Sequence, residues 1–176
     1  MLAEPTVRVW DPVVRVFHWT LVTAFATAFL VEEGSRLHDA AGYVVLGLIA
    51  VRLVWGLIGP EHARFASFVP GPTRLVDYLR GLARGRPARF LGHNPAGGAM
   101  IVLLLAAVLT AAASGWLMTT AWFWGVGWVE ELHETAAWLA LALVGVHVTG
   151  VLVSSLLHRE NLVRAMITGN KPVSID

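Results

Sequence analysis

Four histidines set the chemistry open to this chain. His133 and His147 lie fourteen residues apart in one apolar stretch, EELHETAAWLALALVGVHVTGVLVSSLLHRE. Fourteen residues of α-helix make about four turns, rise roughly 21 Å and return to within about 40° of the starting face. Both imidazoles therefore look out of one side of one helix, at two depths. An ionisable side chain is costly inside a membrane, so a functional role is its default reading. Two more histidines match those depths. His18 sits just inside the first apolar run and His147 a similar distance from the end of the last, while His38 opens the second run and His133 the fourth. The depth-matched pairs are His18 with His147, and His38 with His133.

Imidazoles paired across the helices of a bundle hold haem b without covalent attachment. With both axial positions filled, such iron favours electron transfer over oxygen binding. Two haems at two depths would carry electrons between the faces of the membrane. A lone helical histidine is ordinarily hydrogen-bonded to a neighbour, but four at two matched depths fit ligation better. Zinc competes for imidazole but needs four clustered ligands. Asp39 and Glu134 read as solvated first-turn charges at helix N-termini. Arg52 follows His38 by fourteen residues and faces the same way near the opposite end of its helix. It is expected to pair with a propionate of the inner haem rather than to snorkel to lipid. His62, His93 and His158 read as interfacial polarity, with a quinone pocket as the sharper alternative. Met100 and Met118 read as packing residues. Small residues on the ligand faces (Ala41, Gly42, Ala136, Ala137, Ala140, Gly150) suit either a flat macrocycle or close helix packing.

The elements that must position these side chains are four apolar runs, at about 13–31, 38–58, 97–118 and 132–157, each near the length that crosses a bilayer. Asp11-Pro12 predicts the start of the first helix, and Gly59-Pro60 closes the second. The expected fold is all-α: an integral membrane four-helix bundle, 1–176 forming a single domain. Hydrophobic residues make up 56% of the 176, charged residues only 14%, and mean hydropathy is +0.65, which places the chain among membrane proteins. Cysteine is absent, which excludes disulfides, thiolate clusters and covalent haem attachment.

Arginine and lysine set the orientation. Arg8, Arg15, Arg64, Arg74, Arg80, Arg84, Arg86, Arg89, Arg159, Arg164 and Lys171 fall on one side, Arg36 alone on the other. Both termini and the 59–96 loop are therefore expected in the cytoplasm. The opposite face carries two short loops, EEGSRL and the tryptophan-rich TTAWFWGVGWVEE. Within the long loop, Leu75, Val76, Leu79 and Leu82 at helical spacing predict a short amphipathic helix on the cytoplasmic surface. The N-terminal MLAEPTVRVWDP lacks the pattern of a cleaved signal and is expected to be retained. No GxGxxG or Walker motif occurs, and no nucleic-acid partner is expected.

The blocks RVWDPVVRVFHW, LHDAAGYVVLGLIAVRLVWGLIGPEHARF, GHNPAGGAMIVLLL, LHETAAWLALALVGVHVTGV and RENLVRAMITG together resemble the bacterial di-haem cytochrome b561 family, which includes the cytochrome b subunits of nickel–iron hydrogenases. The resemblance spans almost the whole chain and is most specific in the LHE…H spacing and the RLVWGLIGPEHARF block. It implies a multi-pass protein of the bacterial inner membrane with two haem b groups, ligated by His18, His38, His133 and His147 in the same pairing. It implies electron transfer between a redox partner and the quinone pool, as a quinone oxidoreductase or as the cytochrome b subunit of a redox complex. Expected partners are membrane lipid, quinone, and a c-type cytochrome, hydrogenase or dehydrogenase, with a homodimer among the expected assemblies. The chain is shorter than a typical hydrogenase subunit, and its outer loops are very short. The rival reading from the histidines alone is a metal or proton transporter.

Overall fold

The computed structural model describes residues 5–86 and 88–173. Residues 1–4, on which part of the retained N-terminus expectation falls, lie outside that range. The element order is β1 (Thr6–Arg8), α1 (Pro12–Leu30), α2 (Arg36–Ile58), a 3-10 turn (Glu61–Ala63), α3 (Phe65–Phe68), α4 (Pro72–Ala83), α5 (Pro95–Met118), α6 (Gly127–Leu157), α7 (Leu162–Thr168) and β2 (Asn170–Pro172). Four of these, α1, α2, α5 and α6, are long and apolar enough to cross a membrane. Their outward side chains are apolar and exposed, Val16 at 65% and Leu57 at 72%, an amount of greasy surface that only lipid suits.

The helix starts follow local chemistry. Asp11 Oδ1 accepts from the backbone N–H of Val13 at 2.9 Å and of Val14 at 3.2 Å, capping α1 as its sequence predicts. Ser35 Oγ accepts from His38 N at 3.2 Å, which starts α2 ahead of the expected residue 38. Asn94 Oδ1 takes the N–H of Gly97 at 2.7 Å, and Pro95 occupies the first turn of α5. The largest departure is α6. It begins at Gly127, not near 132, because the chain reverses at Gly125 (φ 70) and Val126 O then accepts from Val129 N at 2.9 Å. His133 and Glu134 consequently lie in the second turn of α6. Glu130 is its first-turn acid, so the placement of Glu134 in that turn is corrected.

The chain divides into two compact units. One comprises Val16–Val54 and Leu103–Val144. It is a four-helix bundle whose core joins Phe17 and Ala24 of α1, Val45 and Ile49 of α2, Ala107 and Val108 of α5, and Ala140 of α6. Ile49 and Ala140 are wholly buried. Alanine on α5 and α6 lets the backbones approach, which is how helices pack where lipid removes the hydrophobic drive.

The other unit comprises Met1–Arg15, Trp55–Val102 and Gly145–Asp176. Here β1 and β2 pair antiparallel, with Val7 opposite Lys171. Val9 and Trp10 pack on Ala165 of α7. Trp55 Nε1 donates to Asp11 Oδ1 at 3.2 Å. Glu160, buried just after α6, accepts from Arg89 and Lys171, and Arg89 also reaches the carbonyls of Pro172 and Val173. α4 forms over Pro72–Ala83, as the spacing of its leucines predicts.

Candidate haem site

The bundle unit brings His38 and His133 together. Their ring centroids stand 6.1 Å apart with the planes at 72°. His38 Nδ1 lies 2.9 Å from the carbonyl oxygen of Ala28, and His133 Nδ1 lies 2.8 Å from that of Ala111. A carbonyl oxygen only accepts, so each Nδ1 carries the ring proton and donates it. Each Nε2 is then left with its lone pair, the form in which imidazole binds a metal. Metal-binding histidines ordinarily have their other nitrogen anchored in this way, which fixes tautomer and ring orientation.

The spacing fits a shared metal. Two metal–nitrogen bonds of about 2 Å each, extended by the ring radii, put facing imidazole centroids about 6 Å apart. Beside the pair is a cavity of ≈ 400 Å³, walled by Gly42, Ala112 and Gly115 and rimmed by Tyr43, Trp116 and Trp124. Nothing lies within 4 Å of where a Cβ on Gly42 would stand, so α2 leaves open space on the cavity side near His38. On the opposite wall a Cβ on Gly115 would meet His133 Cε1 at 2.9 Å, so glycine there makes room for the ring itself. A flat macrocycle held by two imidazoles suits this arrangement. Zinc needs about four ligands, and among the described residues no group of three or more His, Cys, Asp or Glu gathers to supply them.

The other expected residues are placed as follows. His18 is half-buried on α1 in the bundle unit, its ring edge-on to Trp19 at 5.0 Å. Arg52 is 4% exposed on α2 in the same unit. At that burial the guanidinium lies within its unit rather than exposed at the surface. His147 is half-buried on α6 in the other unit. Ala41, Ala136 and Ala140 are buried by helix packing, whereas Gly42 lines the cavity. His93 is wedged between Trp10 at 4.5 Å and Phe68 at 4.7 Å, and a Cβ on Gly92 would meet His62 at 3.0 Å. Both are half-buried within their own unit.

Sequence reasoning missed the α5 side of the site. The Ala28 and Ala111 carbonyls are backbone groups with no residue signature. Gly115 was legible only as one small residue among many in AAASGWLM.

The sequence profile described as prokaryotic cytochrome b561 matches residues 9–169. Among curated proteins, the probable Ni/Fe-hydrogenase B-type cytochrome subunit of Rhizobium leguminosarum bv. viciae is 23% identical, the match covering 97% of this chain and 90% of that protein. Its counterpart in Rhodobacter capsulatus is 24% identical, covering 97% and 83%, and that in Cupriavidus necator 25%, covering 92% and 85%. No solved structure matches. The paired imidazoles, the cavity beside them, the apolar helices and a profile match over nearly the whole length lead to one conclusion: the chain belongs to the prokaryotic cytochrome b561 family and is a multi-pass membrane b-type cytochrome of electron transfer, with haem b as its cofactor.

Proposed function

We propose that the chain holds two haem b groups and carries electrons between a redox partner protein and the membrane quinone pool. The observation that carries this reading is the His38–His133 pair: rings 6.1 Å apart, both Nδ1 atoms committed to carbonyls, both Nε2 atoms available to one iron. Iron with both axial positions filled by imidazole exchanges single electrons and offers no open site to oxygen. His18 and His147 are proposed as the second ligand pair, supported by their matched depths in the sequence. Arg52 is proposed as the counter-ion to a propionate of that inner group, supported by its burial.

The arginine asymmetry supports a bacterial inner-membrane protein with both termini in the cytoplasm, and hence an outer pair facing the periplasm. The named relatives are hydrogenase cytochrome subunits, which supports a hydrogenase as the redox partner. A c-type cytochrome or dehydrogenase would meet the same outer face.

Haem quantification on purified protein tests the reading. Two haems per chain are expected, with a b-type band in the reduced-minus-oxidised spectrum that quinol addition develops. His133→Ala and His147→Ala are each expected to remove a different one. One haem per chain, or loss of both with either variant, refutes the two-pair assignment.

A further inference from the structure

Helix α4 carries two apolar strips in different surroundings. Leu75, Tyr78 and Leu82 are half-buried. Tyr78 meets the Phe90 ring edge-on with centroids 5.9 Å apart, and the Arg74 guanidinium carbon lies 5.8 Å from the same ring. Those two contacts set the roll of the helix about its axis. At about 100° per residue, Val76, Leu79 and Ala83 then form a second strip turned away from Phe90. Val76 is 43% exposed and Leu79 46%, and no residue of α4 is buried.

One border of that outward strip is cationic. Arg80 and Arg84 flank it on one edge, and Arg74 flanks the apolar arc on the other. Four arginines, with Arg86, stand against a single carboxylate in 72–86, and that one, Asp77, faces Arg80 at 3.5 Å. The helix is also poorly stabilised on its own. It has twelve residues, an internal glycine at Gly81, and no side-chain cap at Gly71. A helix this short is marginal in water and needs a surface to lie on.

We propose that α4 is a docking element for anionic phospholipid in the bilayer that the neighbouring spans cross. Val76, Leu79 and Ala83 enter the acyl boundary, while Arg80 and Arg84 reach up to headgroup phosphodiesters. Long basic side chains bury their stems and keep their charge at the interface. The guanidinium fork matches phosphate oxygens, and an acidic lipid surface attracts each added arginine. The connections at 59–71 and 84–94 tie α4 to the ends of α2 and α5, so the membrane surface is always within reach. Charge selects anionic lipid over an apolar protein groove here: Arg80 and Arg84 edge the exposed strip, and an apolar partner would leave them unmatched.

The chain has no cysteine, so single sites can be labelled without background. Leu79→Cys and, on the polar face, Thr73→Cys would carry a nitroxide in the full-length haem-loaded protein. Each would be placed in nanodiscs of phosphatidylcholine alone or with an equal share of phosphatidylglycerol. In anionic discs the label at 79 is expected to become oxygen-accessible and shielded from an aqueous nickel chelate, while that at 73 stays chelate-accessible. High salt should reverse the difference. Each arginine contributes about fivefold at an anionic surface, so Arg80→Gln and Arg84→Gln together should lower the inserted-to-free ratio on the order of twenty-five-fold. The haem spectrum of that variant should stay unchanged, which separates this test from any failure of the two-haem reading. Equal chelate access at 73 and 79 in both discs overturns the proposal. So does shielding at 79 that persists in neutral discs and in detergent, which would mean that protein covers the strip.

Discussion

At the residue scale, the outer pair owes its chemistry to two backbone carbonyls. Ala28 O and Ala111 O hold both Nδ1 protons, which leaves the Nε2 atoms of His38 and His133 in the tautomer that the proposed iron would require. Gly115 protects that arrangement, since a methyl there would lie 2.9 Å from His133 Cε1 and push the ring off Ala111 O. Gly115→Ala should therefore lower the haem content of the outer position while the inner one remains, read as haem absorbance per protein. Full loading with an unchanged spectrum would count against the site. Arg52 makes a different prediction. A buried cation near a haem favours the reduced form, so Arg52→Gln should lower one midpoint potential by on the order of 50 mV and leave the other, with Arg52→Lys intermediate. A potentiometric titration in which neither midpoint moves would remove Arg52 from the site.

At the scale of elements, α5 and α6 do more than their sequence advertises. α5 reads as a featureless apolar run, yet it supplies the Ala111 carbonyl, the Gly115 notch and the Ala112 wall. Ala140 of α6 is wholly buried in the bundle core with Ile49. Ala140→Leu should cost about 1–3 kcal/mol by overpacking, visible as a lower unfolding temperature in detergent and a loosened haem. Gly169 ends α7 at φ 87, and a Cβ there would meet the Trp10 carbonyl at 2.7 Å. Gly169→Ala is therefore strained twice over and should free the β1–β2 pairing to proteolysis without altering the outer haem. An unaltered cleavage pattern would show that the contact is dispensable. The short α7 and this two-stranded pairing were not legible in sequence, because strands three residues long carry no periodicity to detect.

At the scale of the whole molecule, charge outside the membrane decides how the peripheral segments hold. Burial alone would raise the pKa of Glu160, but hydrogen bonds and charge from Arg89 and Lys171 outweigh it and hold the carboxyl below its ordinary 4.5. A group depressed on folding stabilises fully above its unfolded pKa, and that contribution fades as pH falls through the folded value. The clasp should thus be intact at neutral pH and lost only below 4.5. Glu160→Gln leaves the 4%-exposed Lys171 without its counter-ion. At pH 7 it should cost about 3 kcal/mol, and the gap from the unaltered protein should close as the medium is acidified below that value. Thermal unfolding across pH reads both, and a gap independent of pH would mean the carboxylate charge is not what holds the segment.

The sequence by itself determined the four spans, the amphipathic α4 and the depth match by which His38 and His133 meet. Apolar length, helical period and histidine depth are properties of the chain read one residue at a time, and the bilayer converts each directly into position. Tertiary structure alone decided which nitrogen of each of these two imidazoles is anchored to a carbonyl, where the cavity beside them lies, and that Arg52 is buried. Those outcomes depend on backbone carbonyls, glycine notches and packing against other helices. They arise only when segments distant in sequence meet, and no residue type announces them.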